Sequence, residues 1–156
     1  MDRRQYLGAL GLIGSSAVSG CLGSEHEAIN EFGYRTLERR GVEVPLAPVD
    51  DVIGWFDDDN ILFVDTRTRR QYDYLRIEGA VYSPAADGLD ENDPIDAVST
   101  DTRIVTYCVC PHDLATSRGA NAIRDGYTNL YALDEGLQRW VDQGHPIEGD
   151  GVESED

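Results

Sequence analysis

Two thiols and an imidazole stand within five residues of one another, in the run Cys108-Val109-Cys110-Pro111-His112. A thiolate attacks sulfur or carbon, so Cys108 is the candidate nucleophile. Cys110 could resolve a sulfenate or persulfide formed on Cys108, and His112 could lower a thiol pKa or move a proton. Two thiolates and an imidazole are also soft ligands for zinc or cuprous copper. No second Cys pair or His cluster completes a tetrahedral set, because His26 and His145 stand far away in the sequence. The expectation is therefore no bound metal and no cofactor. Two bland readings stand beside the catalytic one. Cys108 could be a buried, inert thiol, or Cys108 and Cys110 could close a short, strained disulfide in an exported protein. The second chemical segment is Asp65-Thr66-Arg67, where a carboxylate and a guanidinium are two residues apart.

Both segments leave strands. Ile61-Leu62-Phe63-Val64 and Ile104-Val105-Thr106-Tyr107 are continuous apolar runs of the kind buried on both faces of a sheet. After them come helix-like segments, Arg69 to Tyr74 and Leu114 to Arg124, the second ended by Gly126. Other strand candidates are Val42 to Val44, Ala80 to Ser83 and Leu130 to Ala132; other helices are Pro48 to Phe56 and Glu135 to Gln143. Asp87 to Asp101 reads as a polar loop with one helical turn near Pro94 to Val98. Strand and helix in alternation predict an α/β domain with a parallel sheet covered by helices on both faces. Ligands of such sheets bind beyond the carboxyl ends of the strands, where both chemical segments fall. A Cys leaving a strand toward a helix meets unpaired backbone N–H groups and the positive end of a helix dipole, which favour thiolate.

The motifs, taken in order from about residue 44 to 148, resemble a rhodanese homology domain. The segments are Val64-Asp65-Thr66-Arg67, Gln71-Tyr72, Ile77-Glu78-Gly79-Ala80-Val81, the strand ending in Tyr107-Cys108, Gly126-Tyr127-Thr128-Asn129-Leu130, and Leu133-Asp134-Glu135-Gly136 with Trp140, Gly144 and Pro146. The resemblance implies a single domain with a five-stranded parallel sheet flanked by helices, and sulfane-sulfur transfer through a persulfide on Cys108. The partners it implies are a sulfur donor such as thiosulfate and a thiol acceptor. Asp65 and Arg67 match a structural pair near the site, expected to form an internal salt bridge. Gly136 and Trp140 match positions that serve turning and packing. The loop departs from the family: members carry Gly at the third position after the Cys and Arg at the fifth, where this chain has Pro111 and Asp113. The next arginine is Arg118. An acid in place of the cation weakens capture of an anionic donor, and the missing Arg argues against the related phosphatases. The competing function is a non-catalytic, thiol-redox or metal-binding module that uses Cys108 and Cys110.

Upstream of the domain, Arg3 and Arg4 precede an uncharged stretch from Tyr6 to Val18 that ends in Val18-Ser19-Gly20-Cys21. Basic start and short apolar middle are the pattern of a signal peptide, too short to span a bilayer. The arginine pair resembles a twin-arginine export signal, and the end resembles a lipobox with Cys21 as the lipidated residue. The expected organisation is residues 1–20 signal peptide, 21–41 tether, 42–148 domain and 149–156 acidic disordered tail. The domain would then sit exported at the outer face of the cell membrane, bound to membrane lipid through Cys21.

The 156 residues carry 30 acidic and 13 basic side chains, a formal charge of −17, and every basic one is Arg. A phosphate backbone is gripped by clustered cations, so nucleic acid is excluded as a partner. Hydrophobic residues make up 40% of the chain, enough to fill a core. A lysine-free acidic surface fits concentrated salt, where screening removes the self-repulsion. Joined to the lipobox, it gives the expectation of an exported halophilic archaeal lipoprotein.

Overall fold

The computed structural model describes residues 32–109 and 113–152. The export signal and Cys21 lie outside the described residues, as do Cys110 and His112. Among the described residues there are eight strands and four helices, in the order β1 Thr36–Arg39, β2 Val42–Ala47, α1 Val49–Asp57, β3 Leu62–Asp65, α2 Arg69–Tyr74, β4 Arg76–Ile77, β5 Val81–Tyr82, β6 Ile104–Tyr107, α3 Asp113–Arg124, β7 Leu130–Leu133, α4 Gly136–Asp142 and β8 Ile147–Glu148. The expected α/β architecture is observed. The main sheet has the order β1-β2-β7-β6-β3-β5, and a separate ribbon pairs β4 with β8. From β2 to β5 the neighbours are parallel, in registers such as Val64 with Thr106 and Ile104 with Leu130.

The sixth strand corrects the sequence reading. Residues 36–39 were expected to belong to a tether, whereas β1 pairs antiparallel with β2 from Thr36 opposite Pro45 to Arg39 opposite Val42. The two-residue connection Arg40-Gly41 has φ of 51° and 81°, the left-handed conformation that a tight hairpin turn requires. The tail is corrected in the same sense. Asp150 and Gly151 donate backbone hydrogen bonds to the carbonyls of Asp73 and Tyr74, so the first residues beyond β8 are fastened to the end of α2.

Each central strand alternates between two cores. Val44, Val64, Ile104, Cys108, Leu130 and Ala132 pack with Ala115, Ala120 and Ala122 of α3 on one face. Phe63, Val105, Tyr107 and Leu133 pack with Val52 of α1 and with Leu137 and Trp140 of α4 on the other. Burial on both sides is what makes these strands read as unbroken apolar runs. The small residues of α3 let it lie close: a Cβ on Gly119 would meet the Leu130 side chain at 2.9 Å. Thr106, fully buried, satisfies its hydroxyl by donating to the Ala115 carbonyl at 2.8 Å, which ties the first turn of α3 to β6.

On the face carrying α1, the residues before β1 form an aromatic strap. Phe32 and Tyr34 stack at 5.2 Å, and both lie against Trp55 and Tyr131. The Arg103 guanidinium covers the Trp55 ring at 4.3 Å, and Tyr34 donates its hydroxyl hydrogen to Asp51 at 2.6 Å.

Candidate functional site

Cys108 stands one residue beyond β6, at the carboxyl end of a strand flanked on both sides by parallel neighbours. It is 1% exposed. Alternation sends its side chain into the core on the α3 side, while Tyr107 points to the opposite core. The backbone here is held from the next crossover. The Leu137 N–H donates to the Cys108 carbonyl at 2.9 Å, and Gly136, with φ of 75°, passes so close that a Cβ would meet the carbonyl oxygens of Val109 and Cys108 at 2.9 and 3.0 Å. Only glycine combines that φ with that approach. Trp140, fully buried about one helical turn later, donates its indole N–H to the Pro146 carbonyl and anchors α4 in turn.

Asp65 and Arg67 come from β3 and the segment after it, on the strand adjacent to β6. Asp65 lies opposite Tyr107 in the register. The two side chains form a bidentate ion pair, Nε to Oδ1 at 3.0 Å and Nη2 to Oδ2 at 2.6 Å, with both groups buried. Asp65 Oδ1 also accepts the backbone N–H of Arg67, and Arg67 Nη2 donates to the Leu75 carbonyl at 2.5 Å. Burial works against the Arg67 charge, but the Asp65 carboxylate outweighs it and raises the pKa further, so the guanidinium stays protonated. The Tyr107 hydroxyl joins this group by accepting the Ile77 N–H at 3.1 Å. Burial, followed by the charge of Asp65, pushes that phenol well above its ordinary range, so Tyr107 remains neutral.

A second buried polar group fastens the long connection between β5 and β6 to α3. Arg118 donates from Nε to Ser83 Oγ at 2.8 Å and lies 3.5 Å from Asp93 Oδ1, and Ser83 donates to Asp93 Oδ2 at 2.6 Å. Asp93 also accepts the backbone N–H groups of Leu89 and Ile95. Burial alone would raise the Asp93 pKa; the four donors overcome it and lower the value. Gly88, at φ of 81°, closes over the cluster, where a side chain would collide with Asp93 and Arg118. Arg118 is thus turned inward and committed to structure. Asp113, by contrast, opens α3 with its side chain 86% exposed and paired to Arg39 at 3.0 Å.

The family model for the rhodanese-like domain matches residues 48–143. The chain belongs to the rhodanese-like family. Among solved structures, a Bacillus halodurans protein superimposes with a TM-score of 0.60 at 24% identity, over 68% of this chain and 77% of that one. The rhodanese-like domain of an Anabaena protein gives 0.55 at 22% identity, over 72% and 88%. A thiosulfate sulfurtransferase from Pseudomonas aeruginosa gives 0.54 at 18% identity, over 68% of this chain and 20% of that one. These likenesses are of fold. Among curated proteins, none matches the sequence.

Within this rhodanese-like domain the structure brings Cys108, Asp65 and Arg67 to the carboxyl ends of two adjacent interior strands, β6 and β3. Tyr107 and the Ser83–Asp93–Arg118 cluster were not singled out by sequence reasoning. Tyr107 looked like one more apolar strand residue, and the cluster joins positions 35 residues apart. Among the described residues, no group of three or more His, Cys, Asp or Glu side chains could hold a metal ion, and no helix is long and apolar enough to cross a membrane.

Proposed function

We propose that this rhodanese-like protein moves sulfane sulfur through a persulfide on Cys108. The observation that carries the reading is the placement of that residue: a cysteine at the carboxyl end of a central parallel strand, its carbonyl gripped by α4, beside a buried Asp65–Arg67 pair. The Cys108 thiolate attacks the outer sulfur of a donor such as thiosulfate. The donor's S–S bond breaks, sulfite leaves with its electron pair, and Cys108 carries the sulfur as a persulfide. An acceptor thiolate then attacks the outer persulfide sulfur and releases the Cys108 thiolate, with no net oxidation. Arg67 is already neutralised by Asp65, so its part is to hold the strand ends in place.

Mass spectrometry after thiosulfate treatment in high salt tests this. The expected result is an adduct of about 32 Da on the wild type and on Cys110→Ser, absent from Cys108→Ser. Failure to form the adduct, together with loss of two hydrogens joining Cys108 to Cys110, overturns it in favour of a thiol-redox module.

We further propose that the domain is exported and lipid-anchored through Cys21 at the outer face of the cell membrane. The supporting features are the paired arginines, the short apolar stretch and the Cys that ends it. The lysine-free, −17 composition supports a salty medium and a halophilic archaeal source. Replacing Cys21 with Ala is expected to release the domain from membranes or leave it unprocessed; unchanged membrane association refutes the anchor.

A further inference from the structure

Thr66 directly follows β3 and is 1% exposed, yet it carries a hydroxyl. Valine would fill the same volume, and a hydroxyl is costly in such a place unless it is bonded. It donates to the Tyr107 carbonyl at 2.9 Å. The Thr66 backbone N–H donates to that same carbonyl at 3.1 Å. A carbonyl oxygen has two lone pairs, and here one residue occupies both. The N–H bond continues the parallel pairing of β3 with β6, in which Asp65 lies opposite Tyr107; the hydroxyl bond is additional to that ladder. Thr66 is itself held, because its own carbonyl accepts the Ala85 N–H at 3.0 Å and its neighbours Asp65 and Arg67 form the buried ion pair.

The Tyr107 carbonyl belongs to the peptide group that leads into Cys108. Peptide groups are planar, so two planes meet at the Cys108 Cα and their settings determine where its side chain starts. Thr66 holds the plane before Cys108 with two donors, and Leu137 holds the plane after it by donating to the Cys108 carbonyl at 2.9 Å. The thiol is 1% exposed and packed against α3, which leaves it little room to correct a misdirected approach. Attack on a sulfur–sulfur bond needs the entering, central and leaving sulfurs nearly in line, and misplacing a reacting atom by about 1 Å can cost on the order of 100-fold in rate.

From these contacts we infer that Thr66 is a positioning residue for Cys108: its hydroxyl fixes the peptide plane before the thiol and so sets the line along which Sγ meets a sulfur–sulfur bond. The inference rests on the proposed sulfur-carrier reading for its biological meaning, while the aim of Cys108 can be measured without sulfane sulfur. With valine at position 66 the Tyr107 carbonyl keeps the backbone N–H, no buried polar group is orphaned, and the plane regains freedom to rock. The fold is therefore expected to survive the change that disturbs the chemistry.

The test uses the full-length Cys21→Ser, Cys110→Ser protein, leaving Cys108 as its one thiol, and the neutral probe dithiodipyridine in high salt. The Cys108 thiolate attacks one probe sulfur, the probe's S–S bond breaks, a protein–pyridyl disulfide forms and thiopyridone leaves, whose absorbance gives the rate. Thr66→Val is expected to exchange about tenfold slower across the pH range, with the midpoint of the pH profile and the urea midpoint unchanged. Thr66→Ser, which keeps the hydroxyl, is expected to return to the wild-type rate. With thiosulfate, the same loss is expected in the limiting rate of persulfide formation, at an unchanged half-saturating concentration. A valine variant that exchanges as fast as wild type overturns the inference, and so does one that exchanges faster, as when a loosened strand end bares a buried thiol. A pH midpoint shifted far enough to account for the loss, or a serine variant no faster than the valine one, overturns it too. Wild type that exchanges with the probe but takes no sulfur from thiosulfate counts against sulfur transfer, and the probe rates still decide the part of Thr66.

Discussion

The Leu137 N–H donates to the carbonyl of Cys108, so the start of α4 fixes the backbone of the residue proposed to carry sulfur. Gly136 is what lets it approach. Gly136→Ala places a methyl group 2.9 Å from the Val109 carbonyl oxygen at a positive φ. The expected loss is about 1–3 kcal/mol of stability, from left-handed backbone strain and the forced separation. Chemical denaturation measures it, and alkylation of Cys108 by a neutral reagent is expected to quicken as the strand end loosens. A variant as stable as wild type, with unchanged alkylation, contradicts the packing described for this contact.

The Asp65–Arg67 pair is buried on both sides and satisfied by further bonds to Leu75 and to the Arg67 backbone. Arg67→Met leaves the carboxylate without its cation and is expected to cost about 3–5 kcal/mol. Asp65→Leu combined with Arg67→Met removes both charges and is expected to cost clearly less than the two single changes added together. A thermodynamic cycle in urea gives the coupling, and strictly additive losses would mean the pair acts as two separate groups.

Asp93 has its pKa lowered in the folded chain, because Ser83, Leu89, Ile95 and Arg118 outweigh burial. A carboxylate depressed by folding adds stability above its unfolded pKa, and that contribution disappears as pH falls through the folded value. Stability is therefore expected to drop below the ordinary carboxylate range, near pH 4 and downward. Asp93→Asn is expected to be less stable at neutral pH and to show a flatter acid limb. Urea midpoints from pH 2.5 to 7 compare the two slopes; parallel curves would remove Asp93 from the acid response.

Tyr107 hands its hydroxyl oxygen to the Ile77 N–H within the core. Tyr107→Phe keeps the ring but strands that N–H, for an expected loss of about 1–3 kcal/mol. Hydrogen exchange at the Ile77 amide is the specific readout, since protection there is expected to fall more than at Ile104 in the core on the opposite face of the sheet. Equal protection at both sites would show that the hydroxyl is dispensable.

How far the sequence carries can be seen strand by strand. Ile104–Tyr107 and Arg69–Tyr74 lie where pattern alone puts them. The first is an unbroken apolar run, and the second follows Thr68, whose hydroxyl and Gln71 form a capping box. Asp65 and Arg67 were legible because they are two residues apart and bond within their own turn. β1 was not, because residues 21–41 read as a tether, and only pairing with β2 through the Arg40-Gly41 turn makes Thr36–Arg39 a strand. The same holds for Ser83, Asp93 and Arg118. Each alone is an ordinary polar residue; their meaning comes from a meeting that local pattern does not encode.

The aromatic strap and the first hairpin carry a practical consequence for anyone excising this domain. The family match begins at residue 48, downstream of both β1 and β2. A fragment cut there would bare the β7 edge at Ala132 and Leu133, which β2 normally occupies, and uncover the Trp55 and Tyr131 rings that Phe32 and Tyr34 shield. An unpaired central strand beside naked aromatics invites self-association. The smallest well-behaved piece therefore begins no later than Phe32, sixteen residues ahead of the family boundary.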